Sequence, residues 1–106
     1  MPAFDLVGVG LNATDTLLLG PKYPELGVAF EREIVSPGGQ VASALVTCGK
    51  LGLRTKYIGA VGDDERGRIQ MACLRAAGLN LDDLEIRSDC PNQSAYIVID
   101  QSTGER

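Results

Sequence analysis

The triplet Pro37-Gly38-Gly39 divides this chain into two kinds of pattern. Before it, residues 28–35 (VAFEREIV) alternate, with Val28, Phe30 and Arg32 on one side and Ala29, Glu31 and Glu33 on the other. That is the spacing of an exposed strand. After it, Val41, Ala44, Leu45, Cys48 and Leu51 recur at helical intervals across residues 40–51, and Gly52 ends the run. That is an amphipathic helix with its stop signal. Proline lacks an amide donor and glycine frees the backbone, so the change of period is abrupt.

The rest of the chain repeats the alternation of strand and helix. Residues 4–9 (FDLVGV) read as a buried strand and residues 14–19 (TDTLLL) as a second. A loop with Pro21, Pro24 and Gly27 follows. Residues 55–61 (TKYIGAV) predict another core strand, and Gly62-Asp63-Asp64 a loop and helix start. Residues 66–77 place Ile69, Cys73 and Ala76 on one helical face, closed by Gly78. Residues 84–87 form a short strand and 94–100 (SAYIVID) a strong one. Residues 101–104 (QSTG) make a turn, and Glu105-Arg106 begin a returning strand.

Strands alternating with helices predict a parallel α/β sheet. The half-polar strands at 14–19, 28–35 and 94–100 suit a separate small sheet, solvated on one face. With only 4–9 and 55–61 as core strands the main sheet is thin, so the chain reads as part of something longer.

Composition narrows the function classes. The chain has 106 residues, enough for one small domain. Net charge is −4, which leaves no basic footprint for nucleic acid or an acidic membrane. No apolar run approaches a membrane span, and the start of the chain lacks a signal peptide's basic region. The cysteines, Cys48, Cys73 and Cys90, are odd in number and widely spaced, and there is no histidine. That argues against a disulfide framework and a zinc site, and fits a reducing, cytoplasmic setting. Cys48 and Cys73 read as small core residues.

Four features carry possible chemistry. Gly38-Gly39 before a helix lets backbone approach a ligand, and the helix-start amides can donate to hydroxyls or anions. Asp15, just past the first strand, stands where α/β folds bind ligands. Its carboxylate can accept charge-assisted bonds from two adjacent sugar hydroxyls. Residues 8–13 (GVGLNA) match a dinucleotide-binding fingerprint, a reading that requires a helix to follow. The acidic run Asp63, Asp64 and Glu65 suits a helix N-terminus without a metal.

Together these stretches resemble the N-terminal half of the PfkB/ribokinase family. The strongest is residues 37–67, PGGQVASALVTCGKLGLRTKYIGAVGDDERG, with its Gly-Gly pair, later Gly52 and Gly62, and a strand leading into Gly-Asp-Asp. Residues 10–15 are similar to the family's first strand and following Asp, and residues 94–106 to its lid strand and hairpin. Ser43 stands where the family signature has Asn, and Leu45 where it has a small residue.

The resemblance implies a ribokinase-like fold, Rossmann-like with flanking helices and a small β-sheet lid. Core pieces would lie at about 4–13 and 37–87, and lid strands at about 14–36 and 94–106. It implies that Asp15 holds sugar hydroxyls, that Gly38 and Gly39 bring backbone to the sugar and hinge the lid, and that Ser43 lies beside the same hydroxyls. Ala95 and Tyr96 are alternatives for facing the sugar. The implied reaction is transfer of the γ-phosphoryl of ATP, with Mg2+, to a hydroxymethyl group of a sugar or nucleoside. The family's second signature, with its anion hole and catalytic Asp, is not found in residues 1–106. This stretch alone is therefore expected to be inactive and to hold no ATP tightly. Lid pairing implies a homodimer. The other expectations are a non-catalytic sugar-binding or dimerisation module and a Rossmann dinucleotide domain.

Overall fold

The computed structural model describes residues 3–20 and 30–106. Its elements run β1 (Leu6–Val9), β2 (Ala13–Gly20), β3 (Arg32–Gly38), α1 (Gln40–Lys50), β4 (Thr55–Ile58), β5 (Ala60–Gly62), α2 (Glu65–Ala76), β6 (Glu85–Arg87) and β7 (Ser94–Asp100). β1 pairs in parallel with β4, and β5 with β6. β3, β2 and β7 form a separate sheet in that order, with β2 antiparallel to β3 and parallel to β7. The α/β core and the second sheet expected from the pattern are both present.

The core gathers where the helices cover the parallel strands. Ala42 and Leu45 of α1, Tyr57 of β4, Leu74 of α2, and Ala77 and Leu79 beyond it form one buried cluster. Full burial of a leucine side chain contributes roughly 1.5–3 kcal/mol. Both helical faces differ from the apolar spacing. In α1, Ala44 is exposed and Leu51, just beyond the helix, is 78% exposed, while Ala42 is fully buried. Ala42 is drawn in because its amide donates to the Leu11 carbonyl at 3.1 Å. In α2 the buried side chains are Gln70, Met71 and Leu74, whereas Ile69 and Cys73 are half-buried and Ala76 is exposed. A buried glutamine escapes a reading by apolar residues; here Gln70 Oε1 accepts from the Gly38 amide at 3.3 Å.

Other boundaries also moved. The strand expected over residues 55–61 breaks at Gly59, where the chain leaves β1 and turns to pair with β6. The strand expected over 28–35 is observed as Arg32–Gly38; its expected start at Val28, and the loop with Pro21, Pro24 and Gly27, lie outside the described residues. β3 runs on through Pro37 because it is an edge strand, where a missing amide is tolerated. The dinucleotide reading of residues 8–13 is overturned, since Ala13–Gly20 is a strand and not the required helix. The acidic run starts α2 as expected: Asp64 caps it, accepting from the Gly67 amide at 2.8 Å. Past β7 the chain turns back, with the Asp100 amide donating to the Glu105 carbonyl at 2.8 Å, but residues 105–106 are not a strand.

Tyr57 ties this core to the loop that feeds β2. Its hydroxyl donates to the Gly10 carbonyl at 2.6 Å and accepts from Asn12 Nδ2 at 2.9 Å. Burial pushes the phenol above its ordinary value, and the Asn12 bond offsets part of that rise. A raised phenol pKa means that the folded state favours the neutral form. Stability is then intact below about pH 10 and falls as pH rises beyond it. Tyr57→Phe is expected to cost about 1–3 kcal/mol at neutral pH. It should also flatten the alkaline fall, measured as urea midpoints between pH 8 and 11. Parallel pH curves for the two proteins would contradict this.

Candidate functional site

Side chains of a strand alternate between faces, and in β2 this decides which groups reach the cleft. Asp15 shares its face with Leu17 and Leu19, while Thr14 and Thr16 point the other way. Asp15 lies between Ser36 of β3 and Ala95 of β7. β3 then delivers Gly38 and Gly39 to the start of α1.

Close approach requires glycine at 39, whereas at 38 a Cβ would meet the end of a side chain that can turn aside. A Cβ on Gly38 would lie 2.6 Å from Asp15 Oδ2. Gly39 has φ +100° and caps α1, and a Cβ there would lie 2.5 Å from Asn12 Cα and 2.8 Å from the Ala13 nitrogen. Among the described residues no acceptor meets the amides of Gln40 and Val41, the first two residues of α1. They are orphan donors of a helix N-terminus.

Asp15, Gly39 and Ser43 line one open pocket of about 530 Å³, together with Leu11, Ala13, Gln40, Gln93, Ser94 and Ala95. Three of the four sequence candidates thus meet in one cleft. Gly38 stands behind them against the Asp15 carboxylate and is absent from the lining. Ala95, not Tyr96, faces the pocket; Tyr96 is on the opposite face of the sheet, beside Thr16. Sequence reasoning missed Gln40, Gln93 and Ser94. Gln40 carried a usable signal as the first helical residue after the glycine pair. Gln93 and Ser94 had none, because only the pairing of Ser94 with Thr14 brings them to the site.

Among the described residues the pocket holds one carboxylate, two primary amides and two serine hydroxyls, and neither Lys nor Arg lines it. Among the described residues the Asp15 carboxylate has no hydrogen-bond or ion-pair partner. Such groups can accept from and donate to hydroxyls, and a carboxylate repels a phosphate placed beside it. Among the described residues no three His, Cys, Asp or Glu side chains converge as metal ligands. Cys48 and Cys73 are half-buried, Cys90 is exposed, and all three are free thiols.

A parallel α/β core carrying a three-stranded sheet beside an open, polar cleft is the ribokinase-like fold. The chain belongs to the pfkB family of carbohydrate kinases, matching it over residues 3–106. The nucleoside kinase of Methanothermobacter thermautotrophicus is 29% identical over 98 residues, which cover 91% of this chain and 32% of that protein. The ribokinase of Bacillus subtilis is 29% identical over 96 residues, covering 86% and 32%. Among solved structures, Thermotoga maritima ribokinase has a TM-score of 0.84 at 22% identity, covering 96% of this chain and 34% of that one. Arabidopsis thaliana ribokinase, solved with ribose and ATP, has a TM-score of 0.81 at 24% identity, covering 98% and 34%. The chain spans about a third or less of the length of the curated relatives it matches. Among the described residues no helix is long and apolar enough to cross a membrane.

Proposed function

We propose that these residues form the acceptor-binding part and lid of an ATP-dependent kinase that phosphorylates a hydroxymethyl group of a neutral sugar or nucleoside. The observation that carries the reading is the Asp15 carboxylate, without a partner among the described residues, in a pocket walled by Gly39 and the open start of α1. Asp15 accepts from two neighbouring acceptor hydroxyls, orienting the ring. Ser43 and the Gln40 amide bond the same edge from the helix side. The sheet β3-β2-β7 is the lid, and Gly39 is where it meets the core; closing it excludes the water that competes for the phosphoryl group. ATP with Mg2+ supplies the phosphoryl group and its charge neutralisation. The nucleotide phosphates, the anion hole and the general base are placed in the part of the kinase beyond these residues, a reading that the acid, amide and hydroxyl lining of the described pocket supports.

The partial span of the relatives supports placing these residues in the N-terminal part of a longer kinase. So do the exposed apolar side chains of the core, Leu6, Val7 and Val9 of β1 and Ile86 of β6, which suit a packing surface for more chain. Leu17, Ile34 and Ile97, cross-strand neighbours on the Asp15 face of the lid, suit pairing of two lids in a homodimer. Three free thiols and the need for ATP favour the cytoplasm.

The test is ADP release by the full-length protein with ribose, fructose, adenosine or fructose 6-phosphate. Turnover that depends on a neutral acceptor is expected. Turnover only with the sugar phosphate, or with none of the four, would overturn the reading. In the latter case a non-catalytic sugar-binding module becomes the better account, since the described lining residues all fall within residues 11–95.

A further inference from the structure

Arg66 stands where its own helix favours a cation least. It is the second residue of α2, in the first turn, where the macrodipole is positive. Among the described residues it has no carboxylate in ion-pair range. Among the described residues its side-chain hydrogen bonds run to the lid sheet. Nη1 donates to Thr16 Oγ1 at 2.9 Å, and Nη2 donates to the Tyr96 hydroxyl at 3.1 Å. The guanidinium carbon lies 5.4 Å from the Tyr96 ring centroid, a cation–π distance. The Arg66 carbonyl accepts from the Thr14 hydroxyl at 2.9 Å. Thr14 and Thr16 are both fully buried, at 0% exposure.

These two threonines flank Asp15. Alternation turns their side chains to α2 and the Asp15 side chain to the pocket. A single residue therefore grips the strand from behind on both sides of the group that faces the acceptor. Tyr96 extends the same grip to β7, whose neighbouring residue Ala95 lines the pocket beside Asp15.

We propose that Arg66 is a positioning residue: it sets the place of the Asp15 carboxylate, and hence acceptor affinity, by holding Thr14 and Thr16 of the lid against α2. The inference rests on the reading of Asp15 as the hydroxyl-binding group. Arg66 does not line the pocket and reaches it only through β2 and β7, so its effect is expected on the acceptor side alone.

The test is a kinetic double-mutant cycle in the full-length protein, with whichever of ribose, fructose and adenosine it phosphorylates fastest. Arg66→Met keeps the aliphatic stem and removes the guanidinium. It is expected to raise the acceptor KM on the order of tenfold while leaving the ATP KM unchanged. Tyr96→Phe removes only the Nη2 contact at an exposed ring and is expected to raise the acceptor KM by roughly two- to threefold. In an Asp15→Asn background both substitutions should cost nothing further, because the group they position has lost its charge. Effects that multiply across the backgrounds, an acceptor KM that does not move, or an equal rise in the ATP KM would each overturn the proposal. If Arg66→Met does not fold, Arg66→Lys and Tyr96→Phe complete the same cycle. If Asp15→Asn itself leaves the acceptor KM unchanged, the premise fails, and the proposal falls through the Asp15 reading and not through Arg66.

Discussion

Gly39→Ala is expected to lower the stability of the protein by about 2–4 kcal/mol, a combination of backbone strain and overpacking. The φ of +100° disfavours any side chain, and the new Cβ would meet Asn12 Cα and the Ala13 nitrogen. Those atoms belong to the backbone that feeds β2, so they cannot rotate out of the way. Gly52→Ala isolates the first contribution, because Gly52 also has positive φ (+94°) but nothing within 4 Å of a new Cβ. It should cost about 1–2 kcal/mol from strain alone. Urea unfolding of the two variants gives the difference, which is the energy of the close approach between the α1 start and the β2 entry. The same clash pushes apart Asp15 and the α1 amides, so acceptor binding should be lost in Gly39→Ala and kept in Gly52→Ala. Equal unfolding midpoints for the two variants would mean that the glycine pair is an ordinary turn.

The order of elements was legible because each carries a short-range signal. The period changes at Pro37-Gly38-Gly39, the β-rich run at 94–100 and the Asp64 cap all depend on a few neighbouring residues. Strand register and helix rotation were not legible, because distant partners set them. Gln70 is buried by a bond to Gly38, and Ala42 by a bond to Leu11. Neither residue announces itself in a hydrophobic pattern. The break at Gly59 depends on β6, which lies more than twenty residues downstream.

The site shows the same division. Asp15 and the glycine pair stood out by residue type and by their places at element ends, and resemblance supplied Ser43. The far wall, Gln93 to Ala95, reaches the pocket only through the parallel pairing of β7 with β2. Asn92 illustrates how long-range such placement is. This buried residue accepts from the Gly62 amide at 2.9 Å through Oδ1, and its backbone N–H donates to Asp64 Oδ2 at 3.1 Å. It thereby joins the end of β5, the cap of α2 and the start of β7. In sequence it is one polar residue in a loop.

Asp15→Ala should separate binding from folding. The carboxylate is half-buried and has no partner among the described residues, so its removal breaks no hydrogen bond to any of them. It also relieves the desolvation of a charge, and the unliganded variant is expected to be as stable as the parent or up to about 1 kcal/mol more stable. Acceptor binding should behave oppositely. Two hydroxyls donating to one carboxylate contribute about 3–4 kcal/mol between them, so affinity should fall roughly 10²- to 10³-fold. Thermal unfolding of the full-length protein with and without its acceptor reads both effects in one experiment. The parent shifts upward with acceptor, and the variant starts at the same or a higher midpoint and does not move. A variant that unfolds early would mean that Asp15 is structural, with a partner in the complete protein. A variant that keeps the full acceptor shift would mean that the pocket beside α1 holds something other than the acceptor hydroxyls. The joint outcome, stability retained and binding lost, is what a residue held open for a ligand must give.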